Sequence, residues 1–408
     1  MLERERSRRK KAALTRVAVL CKHNLSLLEP GDKVHTYDKI MALAKHVSVV
    51  LFTPNGYASR DMRARMKVIQ FSPLGPAFVP AMVLSLLARR KEYDCIYSRD
   101  LLLVLFAAPM RIFGKPIIFE MNGILSLSTE MHRRTQRVRF PQFTPLICSI
   151  IRLMEFFAIR YSDLVLPVTE KMRRTLLREC KADSRKLIVV PNSVDTTVFK
   201  PLANGRNIRR ELGLGKETTV MYLGTFLARW KGSEKLFQAA GNIQRRRTDI
   251  AFLIVGSGPL LEEVKRTTVG CQAFNQMLFV GALNHEVVPS YFSAADVYVY
   301  DTIDVQNRLV EKQGLCPTKI LEAMACGKPV IAPKEPELEA MLRKSNGGFS
   351  ASSIDEVQAL IEKFADSAAL ARSMGRNARR YVELNHDLTR LTGLVIELIS
   401  EVVSSRRS

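Results

Sequence analysis

Short apolar runs alternate with segments of helical spacing along the whole chain, the pattern of α/β units whose parallel strands are covered on both faces. In the first half, Arg16–Lys22, His46–Pro54, Lys67–Phe71, Cys95–Ser98, Pro116–Glu120 and Leu164–Pro167 predict strands. Helices are predicted between them, including Lys33–Ala44, Pro80–Arg90 and Glu170–Cys180. The segment Leu187–Asp195 predicts the end of this sheet, followed by a linker that runs to Leu202. The pattern then restarts, with strands predicted at Thr218–Leu223, Ile250–Val255, Met277–Val280, Val297–Tyr300 and Pro329–Ala332. Helices at Ser367–Glu383 and Leu388–Val403 close the chain, and the long apolar face of the second needs a partner. The division read from this pattern is a basic tail over 1–11, a first α/β domain over 12–195, a second over 196–385 and a closing helix over 386–408.

The strongest local signal is Gly314-Leu-Cys-Pro-Thr-Lys-Ile-Leu-Glu-Ala-Met-Ala-Cys-Gly-Lys-Pro-Val-Ile-Ala332. Pro317 suits the start of a helix, where the outward amides of Thr318 and Lys319 favour an anion. Lys319 adds a full positive charge. Glu322, nearly one turn on, shares that face and is suited to accept hydrogen bonds from sugar hydroxyls. Gly327 ends the helix and Pro329–Ala332 reads as the next parallel strand. Elsewhere, Gly224 and Thr225 end one predicted strand, with Arg229 and Lys231-Gly232 close behind, so two cations fall within one loop. Gly256 and Gly258 end another strand and give the backbone room to approach a ligand.

Taken together, Gly314–Ala332, Pro191-Asn-Ser-Val-Asp195 with Phe199 and Pro201, Tyr222-Leu-Gly-Thr225 with Lys231-Gly232, Leu253-Ile-Val-Gly-Ser-Gly-Pro259 and Ala294-Ala-Asp-Val-Tyr298 resemble retaining glycosyltransferases of the family-four type. The resemblance implies the GT-B fold: two Rossmann-like parallel-sheet domains facing across a cleft, with a C-terminal helix that crosses back to the first. It implies a donor site for a nucleotide diphosphate sugar, used as co-substrate with no other cofactor. In that site Arg229, Lys231 and Lys319 stabilise the diphosphate, Glu322 holds the ribose and Leu283 the base, with Gly224, Thr225, Gly256, Gly258, Pro317 and Thr318 around them. His285, just beyond Leu283, is expected at a helix start or on the surface. Family members carry a second carboxylate eight residues before Glu322, where this chain has Gly314. Backbone groups of Leu315–Pro317, or Glu311 or Asp301, are the alternatives that replace it.

The acceptor belongs to the first domain under the same resemblance. Glu29–His35 stands in the place of the family's glycine-rich loop, which makes Gly31, Lys33 and His35 the acceptor candidates. Asn122 stands where many relatives have a His near the reacting centre, to bind the sugar or an acceptor hydroxyl. Asn is no general base at neutral pH. The absence of an evident protein nucleophile agrees with a front-side displacement in which the leaving phosphate takes the acceptor proton. No metal is expected, because the chain has no Asp-x-Asp and cations plus a helix start supply the charge.

Composition sets the remaining limits. The 408 residues are 47% hydrophobic and 25% charged, ordinary for globular domains. The net charge of +22 is concentrated in residues 1–195, which hold 34 Lys/Arg against 17 Asp/Glu. That surplus points to an anionic partner: a membrane surface, a phosphorylated acceptor or nucleic acid. Membrane contact is predicted at Pro76–Arg90 and Met131–Phe140, where basic and large apolar residues mix. Leu101–Pro109 and Pro145–Ile159 are too short or too interrupted to span a bilayer and read as buried or interfacial helices. The first apolar run lacks signal-peptide features. Seven cysteines without a CxxC pair argue for a reducing compartment, so the expected location is cytoplasmic, peripheral on the inner face of the membrane. Two other readings compete. A sugar-nucleotide 2-epimerase of the same fold would need His and carboxylate acid/base groups around the donor, and this chain is His-poor. A non-catalytic basic binding protein, with nucleic acid as the partner, would need aromatics interleaved with its cations, which are missing.

Overall fold

Two parallel sheets account for nearly all the apolar runs. The computed structural model describes residues 15–23, 25, 31–71, 78–135, 144–224, 226, 233–262, 277–300 and 308–407. These divide into two units: one made of residues up to 131, 139–191 and 388 onward, the other of 132–138 and 192–387.

In the first unit the strands are β1 (Arg16–Leu20), β2 (Ser48–Pro54), β3 (Lys67–Phe71), β4 (Cys95–Ser98), β5 (Ile117–Met121) and β6 (Leu164–Pro167). They pair in the order β3-β2-β1-β4-β5-β6, every pair parallel. β4, β5 and β6 are buried at every position, as continuous apolar runs in a parallel sheet must be. The helices used below are α1 (Gly31–Ala44), α2 (Phe78–Ala88), α3 (Leu101–Ala107) and α4 (Thr144–Tyr161). Asp100 starts α3 by accepting from the amides of Leu102 and Leu103, which removes two unpaired donors.

The second unit repeats the plan with β7 (Thr218–Leu223), β8 (Ile250–Val255), β9 (Met277–Gly281), β10 (Val297–Val299), β11 (Val330–Pro333) and β12 (Gly348–Ala351), ordered β12-β11-β10-β7-β8-β9. Here α5 (Thr318–Ala325) leads into β11, and α6 (Ala368–Asn385) packs on α5. The chain then enters α7 (Leu388–Arg407), whose Val395, Ile396, Ile399 and Val403 lie in the core of the first unit beside Val17, Ile40 and Leu43. The apolar face that sequence analysis leaves without a partner is covered in this way.

Leu187–Val190 ends the first sheet, running beside β6 through one bridge, Val165 to Leu187, and through amides donated by Ile188 and Val190. Gly31–His35 is not a loop but the opening of α1. Of the predicted membrane segments, α2 buries Phe78, Met82 and Leu86 and exposes Leu84 at 66%, and Met131 is 5% exposed. Residues 1–11, 72–77 and 136–140 lie outside the described residues.

Candidate functional site

Strand order reverses between β7 and β10 in the second sheet, and the carboxyl ends of an open parallel sheet collect ligands at such a point. Gly224 leaves β7 there, its amide donating to the carbonyl of Val255 at 3.0 Å. Gly256 and Gly258 leave β8 with φ of +135° and +154°, which L side chains rarely adopt. A Cβ on Gly256 would strike the carbonyl oxygen of Gly224, and one on Gly258 the backbone of Phe226. The Phe226 amide donates to Ser257 at 3.1 Å and the Leu260 amide to Phe226 at 3.0 Å. The two strand ends are therefore tied backbone to backbone. Neighbouring backbone leaves no space for a side chain at either glycine.

On the next loop, Leu283 is half-buried against the same core as α5. Two residues on, His285 Nε2 lies 3.1 Å from Oε1 of Glu322, and its ring lies 4.9 Å from that of Phe199. Glu322 is 4% exposed, within an α5 buried from Ile320 to Ala325. His285 is thus neither a helix start nor a bare surface residue. A buried carboxylate must find a partner, and the loop after β9 supplies one from 37 positions away. Pro317 caps α5 without a side-chain hydrogen bond, which places Thr318 and Lys319, both half-buried, in the first turn. The backbone just before the helix is fixed from another direction: Asn192 Nδ2 donates to the Cys316 carbonyl at 2.8 Å, and Asn192's own carbonyl lies 2.9 Å from His386 Nδ1. Burial holds the His386 imidazole below its ordinary pKa. Thr225, Arg229, Lys231, Gly232 and Asp301 lie outside the described residues. Glu311 is exposed in a short helix, Arg308–Gln313.

The first unit carries a cluster that sequence analysis misses. Glu120, on β5, is 1% exposed; its carboxylate pairs with Lys39 of α1 and with Arg99 at 3.2 Å, and accepts from the Tyr97 hydroxyl. Burial pushes this carboxyl up, but Lys39 and Arg99 outweigh it and hold the pKa down at about 2. Arg99 also donates to Thr36 Oγ1 at 2.7 Å, and Lys22 pairs with Asp100 at 2.7 Å. These groups stand at the carboxyl ends of β1, β4 and β5, the reversal point of the first sheet. The available signal was a single carboxylate closing the apolar run Pro116–Glu120. Asn122 follows two residues later; it is half-buried, and its Oδ1 is buried without a hydrogen-bond partner among the described residues. His35 is half-buried on α1, while the side chains of Gly31 and Lys33 lie outside the described set.

Comparison with known proteins bears on both units. Residues 204–381 match the family described as glycosyl transferases group 1, and residues 31–198 match glycosyltransferase family 4. The GDP-mannose-dependent alpha-(1-6)-phosphatidylinositol monomannoside mannosyltransferase of Mycobacterium tuberculosis is 29% identical over 196 residues, 47% of this chain and 50% of that protein. The chain thus spans about half the length of this relative. The UDP-Gal:alpha-D-GlcNAc-diphosphoundecaprenol alpha-1,3-galactosyltransferase of Escherichia coli is 22% identical over 333 residues, covering 78% of each chain. Among solved structures, the sucrose-phosphate synthase of Thermosynechococcus elongatus superposes with a TM-score of 0.73 at 21% identity, over 96% of this chain and 100% of that one.

Proposed function

The chain belongs to the glycosyltransferases of the GT-B fold, group 1 in its second half and family 4 in its first, and from this membership we propose that it transfers a sugar from a nucleotide diphosphate sugar to a lipid-linked or polysaccharide acceptor. The observation that carries the reading is the His285–Glu322 contact, which joins the motif carboxylate to the loop of Leu283 after β9. In this reading Glu322 takes the ribose hydroxyls, Leu283 lies against the base, and Lys319, Arg229 and Lys231 neutralise the diphosphate as its bond to the sugar breaks. Fixed cations aimed at developing charge supply several kcal/mol of barrier lowering in such sites.

The acceptor hydroxyl oxygen bonds to the anomeric carbon on the face the diphosphate leaves, and a leaving-phosphate oxygen takes the hydroxyl proton. The product keeps the anomeric configuration. Asn122, with its buried unpartnered Oδ1, orients the sugar or the acceptor hydroxyl. No metal is required on this route, since the charge is met by side chains and the start of α5. A lipid-linked acceptor is favoured by relatives whose names specify phosphatidylinositol monomannoside and diphosphoundecaprenol-linked substrates. It fits a protein held at the cytoplasmic face of a membrane.

The test is a thermal-shift series with UDP, GDP, ADP and their sugars, followed by transfer assays with the donor that stabilises the protein, in the presence of a chelator. Product anomeric configuration by NMR decides retention. Failure of every nucleotide to raise the melting temperature would sink the reading. Turnover of UDP-N-acetylglucosamine without an acceptor would replace it with epimerisation.

A further inference from the structure

The first unit leaves an apolar face of its own fold uncovered. On α4, Leu146, Ile150, Leu153 and Phe157 recur at helical spacing and are 60%, 49%, 56% and 38% exposed. Glu155, half a turn away, faces inward at 4% exposure, accepting from the amide and hydroxyl of Ser126 at 3.2 and 2.7 Å. α3 packs between α2 and α4, and exposes Phe106; the turn that follows it exposes Ile112 at 85%. Right-handed crossovers place these elements in one layer on the sheet, so the exposed side chains belong to one surface. Such a concentration of large apolar groups marks a contact surface rather than ordinary solvent exposure.

Charge identifies the occupant. Across α2, α3, the turn Ala108–Phe113 and α4, the sole carboxylate is the buried Glu155. The cations are at the surface: Arg152 and Arg160 on α4 are exposed, Arg152 pairing with Glu130 of the neighbouring helix at 3.3 Å, and Arg90 lies over the Phe113 ring at 5.7 Å. Two copies meeting face to face would set these cations against each other with no exposed carboxylate from these elements between them. An anionic lipid surface offers acyl chains to the stripe and phosphates to the arginines. No helix among the described residues is long and apolar enough to cross a membrane, so the contact lies in the plane of the surface. We propose that α4, with Phe106 and Ile112 beside it, docks the first unit on an anionic bilayer, with Arg90, Arg152 and Arg160 at headgroup level. The inference deepens the lipid-acceptor reading and rests on it for its purpose, while its geometry stands alone.

The full chain is to be sedimented with phosphatidylcholine vesicles with and without phosphatidylglycerol, as wild type, Leu153→Glu and Arg160→Glu. Both positions are exposed, so melting temperatures should stay near wild type. The expected result is binding to phosphatidylglycerol vesicles, weakened about tenfold by Leu153→Glu and severalfold by Arg160→Glu and by salt. Absence of wild-type binding, unchanged binding of Leu153→Glu, or self-association abolished by that substitution would overturn the proposal. Melting temperatures with UDP and GDP on the same samples separate the two readings. Vesicle binding without any nucleotide response keeps the docking surface and removes the transferase, and the reverse removes the docking surface alone.

Discussion

His285 Nε2 stands 3.1 Å from Glu322 Oε1, joining the loop after β9 to the helix that precedes β11. The contact gives a buried motif carboxylate a hydrogen-bond partner from another loop. His285→Ala is expected to weaken nucleotide binding by about tenfold to hundredfold, the range for losing a hydrogen bond to a charged group. His285→Gln should recover part of the loss. Calorimetric titration with the stabilising nucleotide checks both; equal affinity for all three proteins would make the contact merely structural.

In the proposed reading Lys319, Arg229 and Lys231 neutralise the diphosphate. Lys319→Ala should lower kcat by roughly 100-fold, the usual cost of removing one group that stabilises transition-state charge. Arg229→Ala and Lys231→Ala should fall in the same direction, and far-UV circular dichroism should stay unchanged. Steady-state assays of the three variants settle which cations matter.

Glu120→Gln removes the buried charge that pairs with Lys39 and Arg99, and should cost about 3 kcal/mol at neutral pH by urea unfolding. The folded pKa lies near 2 against an ordinary 4.5, so the unfolded chain binds the extra proton between those values. The stabilisation is therefore complete above the unfolded value and is lost as pH falls towards 2. The gap between wild type and Glu120→Gln should narrow in acid. A gap of constant size from pH 7 to pH 3 would contradict the pairing.

Gly256→Ala forces a side chain against the carbonyl of Gly224 at a φ of +135°. It should cost at least about 2 kcal/mol, seen as a lower melting temperature. Gly241→Ala, in a helix with open space around the site, should lose nothing comparable and is the control.

The sheets were legible because each strand is a closed apolar run: β3, β4, β6, β7 and β8 fall at the predicted residues. β12 was not, because Gly348-Phe-Ser-Ala351 lacks the β-branched residues that mark a strand and sits at the sheet edge. The helix of Lys319 and Glu322 was legible from its start and stop residues. What the sequence hid is what depends on distant partners. His285 gives no local sign of Glu322, and nothing near Glu120 names Lys39, 81 residues away. Nor does Gly256 name Gly224, whose carbonyl excludes a side chain there.

The core of the first unit includes Val395, Ile396, Ile399 and Val403, contributed by a helix that follows the whole second unit in the chain. A ribosome therefore delivers the opening half of the protein long before the piece that seals it. Until residue 403 emerges, that nascent half lacks the side chains that cover Ile40 and Leu43 in the finished core.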